Sequence, residues 1–354
     1  MKVLILQNKL LHYRVPVFNL LNEQKGVDVT VAYPTILSED ASINFTQVKL
    51  NVRNQKGFII HNGLYKFCCD FDVVIAMFDI KWLTHMKLGF MKLRPFKLIY
   101  WGIGVSTGKG FDFDKKFDRL RFFFASQVDA LLFYSEYPIQ KYIKSGFSKS
   151  RLFVAHNTVA GADTLESNVE GDLILFIGSI EKRKKIIELI DAFLEAYNFF
   201  NKKIKLMIIG EGSEKENLEN YVNSSLLKEK IEFKGAIIES NILEKYYKRA
   251  IVSVSPGQAG LSVLTSFSYG IPFLCRKDAI TGGERINIQD GHNGYQYEGG
   301  KQELSRLLTS LVNDSFLCQS MRENALRFYW ENRTLENMIE GFIKAINSVC
   351  SGNV

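Results

Sequence analysis

The chain lacks the features that would mark it as membrane-spanning, disordered or disulfide-built. No apolar run reaches the roughly 18 residues that a bilayer-crossing helix needs. The opening Met1-Lys2 leads straight into Val3-Leu4-Ile5-Leu6, too short for a signal-peptide core and without a small-residue cleavage site. Cytoplasmic residence is therefore expected. The five cysteines, Cys68, Cys69, Cys275, Cys318 and Cys350, form no C-x-x-C pair and no Cys/His cluster of zinc spacing. An odd count suits a reducing compartment. No G-x-G-x-x-G follows the first apolar run, which leaves a nicotinamide enzyme unsupported. No G-x-x-x-x-G-K-[ST] occurs, which excludes a P-loop ATPase. Recognised nucleic-acid modules are also missing, so no nucleic-acid partner is expected.

What the chain has is a globular composition in 354 residues, with 46% hydrophobic and 23% charged residues. That length suggests two domains. Charge is divided unevenly. Residues 1–158 hold 22 Lys and Arg against 12 Asp and Glu, whereas the remainder holds 23 against 26. A basic first half implies a polyanionic partner, such as a membrane surface or a phosphorylated substrate. Its densest basic stretch has Lys81, Lys87, Lys92, Arg94 and Lys97 with no acid between them. Trp82, Met86, Phe90 and Leu93 recur there at helical spacing. The pattern fits an interfacial helix over Lys81–Leu93 on an anionic membrane, or an ordinary surface helix packed on a sheet. The run Phe122-Phe123-Phe124 is assigned to the core.

Apolar runs of strand length alternate with helical periodicity twice over. In residues 1–158, strands are expected at Lys2–Leu6, Val27–Tyr33, Asp72–Met77, Lys97–Trp101, Ala130–Tyr134 and Arg151–Ala155. Residues 159–171 lack periodicity and form the expected linker. Residues 172–330 repeat the alternation from Leu173–Ile177 onward, and 331–354 form a last helix, expected to pack back on the first domain. The fold class expected is α/β, two Rossmann-like domains facing each other across a cleft. Ligands of such sheets bind beyond the carboxyl ends of the strands.

The strand–turn–helix junctions of the second half carry the chemistry. Gly178-Ser179 ends one strand, and Glu181-Lys182-Arg183-Lys184-Lys185 opens the next helix. Gly210-Glu211-Gly212-Ser213 and Gly257-Gln258-Ala259-Gly260 occupy equivalent places. Glycines let a ligand approach the backbone, and helix N-termini with nearby cations suit a diphosphate.

Leu173 to Gly178 with Lys184, Leu206 to Gly212, Ile231 to Gly235, Val254-Ser255-Pro256, Tyr269 to Pro272, Gly282-Gly283-Glu284 and Asp290 to Gly294 together resemble the glycosyltransferases of family 4, which have the two-domain GT-B architecture. The resemblance covers roughly residues 171–330 and implies transfer of a sugar from a nucleotide-diphosphate donor with retention at the anomeric carbon. It implies that Lys184 meets the donor diphosphate. It sets Gly260, Leu261 and Ser262 against phosphate or sugar, and the segment from Phe233 to Ala236 near the nucleobase. Gly178, Glu211 and Glu284 complete the implied donor set. Two positions depart from the family. Ser179 stands where an Arg is usual, with Arg183 or Lys182 the candidate substitutes. Gly257 and Thr265 stand where a Glu-x7-Glu motif usually lies; Thr265 would still bond a ribose hydroxyl. Either a diverged subgroup holds the donor differently, or the chain is an inactive GT-B nucleotide-sugar-binding or scaffold protein.

On the acceptor side, His12-Tyr13-Arg14 follows the first strand, and Gly102 and Gly104 lie in a loop after another. Arg14 would meet an acceptor phosphate. No catalytic base is assigned. His85 and His156 are expected to be structural, and His61 and His292 to lie in loops. No cofactor and no metal are expected, so side chains and helix dipoles must neutralise a leaving diphosphate. The expected partners are a nucleotide-sugar, a lipid-linked saccharide acceptor in cell-surface polysaccharide synthesis, and the inner face of a membrane.

Overall fold

The computed structural model describes residues 1–91, 93–107, 111–113, 115–162 and 171–351. The chain divides into two compact units, Met1–Ala160 with Thr334–Val354, and Gly161–Arg333. The segment expected as a linker lies largely outside the described residues.

The first unit holds β1 (Lys2–Leu6), β2 (Asp28–Tyr33), β3 (Thr46–Lys49), β4 (Val52–Gln55), β5 (Phe58–His61), β6 (Val73–Met77), β7 (Lys97–Gly102), β8 (Ala130–Phe133) and β9 (Leu152–Val154). Seven of these make a parallel sheet in the order β3-β2-β1-β6-β7-β8-β9, while β4 and β5 pair as a separate antiparallel hairpin. Its helices are α1 (Val15–Asn22), α2 (Leu64–Cys68), α3 (Leu83–Leu88), α4 (Asp118–Ala125) and α5 (Ile139–Lys144).

The central strands are continuous apolar runs because both sheet faces are covered. Val3, Ile5, Val73, Ile75 and Trp101 pack with Phe18 of α1 and with Met338, Phe342 and Ile346 of the C-terminal helix Leu335–Cys350. Leu4, Leu6, Val74, Leu98 and Tyr100 pack on the other side with Met86, Ala125 and Tyr142. The C-terminal helix starts at a capping box. Thr334 Oγ1 accepts the Asn337 N–H, and Asn337 Oδ1 accepts the Thr334 N–H.

The second unit repeats the plan with β10 (Leu173–Ile177), β11 (Lys205–Ile209), β12 (Ile231–Phe233), β13 (Ala250–Val254), β14 (Gln258–Ala259), β15 (Phe273–Arg276), β16 (Ile280–Thr281) and β17 (Gly294–Tyr297). The parallel order is β12-β11-β10-β13-β15-β17, with β14 and β16 a small parallel pair beside it. The helices are α6 (Ile186–Ala196), α7 (Lys215–Asn223), α8 (Ser240–Arg249), α9 (Ser262–Ser268), α10 (Gly300–Asn313) and α11 (Ser315–Asn332). Ile174, Phe176 and Ile208 face α6 and α10, whereas Leu173, Leu175 and Ile209 face Tyr247 of α8. From β10 the chain winds outward first through β11 and β12, then in the other direction through β13. The switch point therefore lies between the ends of β10 and β13.

Four expectations for the first unit need correction. The helix expected over Lys81–Leu93 is only Leu83–Leu88. Trp82 is buried against His61 and His85, with ring centroids 5.8 and 4.9 Å away, so it does not belong to an outward face. Gly89 ends the helix, so Phe90 and Leu93 project from the loop that follows. Of the aromatic run, Phe122 and Phe124 pack on the core but Phe123 is exposed. His61 is a buried strand residue rather than a loop residue.

Candidate functional site

The switch point of the second unit gathers most of the expected donor-binding residues. Gly178 leaves β10 with φ of +152°, backbone that favours glycine. The chain then makes a tight turn over Lys182–Lys184 and enters α6. Lys184 is only 8% exposed, and its Nζ donates to the Gln258 carbonyl at 3.3 Å. No carboxylate pairs with it among the described residues. Burial, reinforced by the positive charge of Arg183, pushes the ammonium down to about 8 despite the opposing influence of Glu181 and Glu284. A Cβ placed on Gly178 would lie 3.6 Å from this Nζ. The corner thus holds an under-neutralised buried cation beside open backbone and the N-terminus of α6, an arrangement that favours an anion.

The loop after β13 closes around the same cation. The Ser255 hydroxyl donates to the Gln258 carbonyl at 2.7 Å, and the Gly257 N–H donates to the Lys184 carbonyl at 2.9 Å. A Cβ on Gly257 would stand 2.1 Å from the Arg183 carbonyl oxygen and 2.8 Å from Lys185 Cγ. No side chain fits there, so the missing carboxylate at 257 follows from how tightly the Lys184 turn is packed. At Gly260, by contrast, a Cβ would meet nothing within 4 Å. Ser262 opens α9 directly afterwards. Thr265 Oγ1 donates back to the Leu261 carbonyl at 3.2 Å.

Glu284 is buried, and its Oε2 accepts the Gly282 N–H at 2.9 Å and the Thr281 hydroxyl at 3.3 Å. Thr281 lies opposite Ala259 in the β14–β16 pair. The small pair therefore carries Glu284 toward the Gln258 that holds Lys184, and the carboxylate's charge acts on that ammonium. The other donor candidates are less involved. Arg183 points outward and meets Glu181 at 3.4 Å. Ser179 is half-buried, and its carbonyl accepts the Glu181 N–H. Glu211 is ion-paired with Lys215 at 2.7 Å. Phe233 ends β12 and packs partly on the core, and Ala236 is exposed beyond it.

In the first unit, His12 is exposed and Tyr13 half-buried. Arg14 is buried, its guanidinium 4.6 Å above the Trp101 ring and bonded to Asn157 Oδ1 at 2.7 Å. The expected phosphate contact is replaced by a packing role that ties the loop after β1 to the ends of β7 and β9. Gly102 and Gly104 are also packing positions. A Cβ on Gly104, where φ is +76°, would stand 2.6 Å from the Phe133 ring. His156 pairs with Glu136 at 2.9 Å. Arg94 is drawn inward to Asp129 at 2.7 Å, leaving Lys81 and Lys87 exposed, while Lys92 lies outside the described residues.

Two strings in the sequence spell motifs without forming their sites. Gly104-Val105-Ser106-Thr107-Gly108 has the G-x-S-x-G spacing, but among the described residues the next helix is α4 at Asp118, so these form no strand–turn–helix elbow. Of the Asp-x-Asp pairs at 70/72 and 112/114, Asp72 accepts the Lys2 N–H and Asp112 pairs with Lys141. Asp114 lies outside the described residues.

The fold is that of the GT-B glycosyltransferases. It superposes with a TM-score of 0.74 on HepE of Anabaena in complex with UDP, at 14% identity and covering 98% of this chain and 100% of that one. The lipopolysaccharide outer core galactosyltransferase WaaB gives a TM-score of 0.70 at 16% identity, covering 99% of each chain. Residues 162–328 match the family described as glycosyl transferases group 1. A Methanocaldococcus jannaschii protein described as an uncharacterized glycosyltransferase is 24% identical, spanning 92% of this chain and 91% of its own length.

Proposed function

We propose that the protein is a glycosyltransferase of the family 4 type that moves a sugar from a nucleotide-diphosphate donor to a saccharide acceptor. The observation that carries this is the under-neutralised Lys184 at the switch point of the second unit, inside the stretch that matches the group 1 family. Departure of a nucleoside diphosphate builds negative charge, and a preorganised ammonium with helix N–H groups stabilises it. Lys184 is the donor-diphosphate contact in this reading. The open backbone at Gly260 with Leu261 and Ser262 receives phosphate or sugar, and the end of β12 lies toward the base. These cations and dipoles supply the countercharge without a metal. Retention at the anomeric carbon follows from the family resemblance, as does a lipid-linked acceptor in polysaccharide synthesis at the inner membrane face. HepE in complex with UDP and WaaB, a lipopolysaccharide outer core galactosyltransferase, support this reading by analogy.

The missing carboxylates are the evidence for an inactive scaffold, but the glycines and Lys184 that remain favour a diverged subgroup. Gly257 is retained by close packing that holds Lys184 in place, which is a built feature of the site. The test is a thermal-shift screen against UDP-, GDP-, dTDP- and CMP-sugars with and without magnesium, since a ligand that binds the native state raises its melting temperature. One nucleotide class should give a metal-independent shift, followed by sugar transfer to a lipid-linked acceptor. A shift without turnover on any acceptor would establish the scaffold reading.

A further inference from the structure

The turn that carries Lys184 holds a second lysine in a strained conformation. Lys185 closes the turn Lys182–Lys184 and precedes α6 with φ of +52° and ψ of +40°, left-handed backbone that a lysine seldom adopts. Among the described residues, Lys56 and Asp112 are the other non-glycines with positive φ. Lys56 and Gly57 form the two-residue turn between β4 and β5, which demands such values, and aspartate tolerates them. Neither reason applies to Lys185, and strain of this kind collects at ligand clamps. A glycine would take the same backbone freely, so what the position gains over glycine is an ammonium.

The stem of that lysine lies against Gly257, where a Cβ would stand 2.8 Å from Lys185 Cγ. Lys184 and Lys185 thus flank the loop after β13, one on the Gln258 carbonyl and the other on Gly257. The acids around them are committed. Asp278, 3.9 Å from Lys185 Nζ, accepts from Arg276 Nε at 2.7 Å and Nη2 at 3.3 Å. Glu181 lies 3.4 Å from Arg183, and the buried Glu284 accepts from the Gly282 N–H and the Thr281 hydroxyl. The hydroxyls of a neutral sugar need acceptors, yet Gly257 has no side chain and Thr265 Oγ1 donates to the Leu261 carbonyl. The loop therefore presents a cation, not a carboxylate, to a ligand beside it.

We propose that Lys185 reads a carboxylate on the transferred sugar, so that the donor is a nucleotide-linked acidic sugar of the uronic acid class. An ammonium on a long stem, held 3.9 Å from an acid that another residue already grips, turns to a ligand carboxylate and makes a charge-assisted hydrogen bond. The buried Lys184 is left for the diphosphate. The inference rests on the donor site proposed above and names the class of sugar it takes.

Calorimetric titration of the full chain with UDP, UDP-glucose and UDP-glucuronate, and with GDP, GDP-mannose and GDP-mannuronate, tests it. The Lys185 side chain is 43% exposed, so water screens part of the contact. One acidic donor should therefore bind about tenfold more tightly than its neutral counterpart. Lys185→Gly suits the left-handed backbone, so it should melt no lower than wild type and should lose this preference. Lys185→Arg keeps the charge and should retain it. Lys184→Met should weaken the acidic and neutral donors alike. A neutral donor bound by wild type as tightly as its acidic counterpart would overturn the proposal and leave the donor site standing. So would Lys185→Gly weakening the free diphosphate and both of its sugars equally, which would make Lys185 a diphosphate contact. No binding of any of these nucleotides would overturn the donor site itself, and this inference with it.

Discussion

Replacing Lys184 by Met should stabilise the protein while removing the group on which donor binding depends. The side chain is 8% exposed, and burial lowers its ammonium from 10.5 to about 8. Holding it charged at neutral pH therefore costs about 3 kcal/mol. Met has a similar shape but no charge to desolvate. It leaves the Gln258 carbonyl with the Ser255 hydroxyl as its remaining side-chain donor, a loss of about 1 kcal/mol. The net gain is about 2 kcal/mol, which raises the melting temperature by roughly 4–8 °C in a domain of this size. The gain should be complete below pH 8, where Lys184 is protonated in both folded and unfolded chains. Between 8 and 10.5 the unfolded chain binds the proton and the folded one does not, so wild-type stability rises with pH and the advantage of Met shrinks. Urea unfolding of both proteins at neutral pH and at about pH 10 measures this difference. A variant less stable than wild type at neutral pH, or a gain that does not change with pH, would refute the account of the buried ammonium.

Three further substitutions probe the packing. Gly257→Ala pushes a methyl group into the Arg183 carbonyl, so it should destabilise by about 1–3 kcal/mol and weaken donor binding together. Gly260→Ala, which meets open space, should leave the melting temperature nearly unchanged. Arg14→Ala removes a buried side chain stacked on Trp101, so thermal melts should show a loss of about 2–4 kcal/mol. A loss of acceptor affinity without any loss of stability would return Arg14 to the phosphate role expected from sequence.

Much of the fold was legible because parallel strands covered on both faces are continuous apolar runs. Val3 to Leu6 and Leu173 to Ile177 stand out in the sequence and lie at the centres of the two sheets. The edges were harder to see. Thr46–Lys49 is polar and Gly294–Tyr297 begins with glycine, so only pairing with a neighbouring strand defines them. The Val52–Phe58 region is polar on its exposed hairpin and gives no apolar period.

At the candidate site, glycines beside cations mark the junctions that meet at the switch point of the second sheet, because local backbone demands leave traces in sequence. Long-range packing does not. Nothing around Arg14 reveals that Trp101 and Asn157 will enclose it, or that the space at Gly257 is filled by the Arg183 carbonyl. Periodicity also misjudged Trp82, since it assigns residues to a helical face without showing whether that face turns inward.

The most direct test is calorimetric titration of wild type and Lys184→Met with nucleoside diphosphates at neutral pH. A diphosphate held by Lys184 gains a charge-assisted contact of about 1.5–3 kcal/mol, so one nucleotide should bind wild type and lose roughly 10- to 150-fold affinity in the variant. Equal affinity for both proteins, or no binding by wild type to any nucleoside diphosphate, would contradict the assignment of this corner as the donor site.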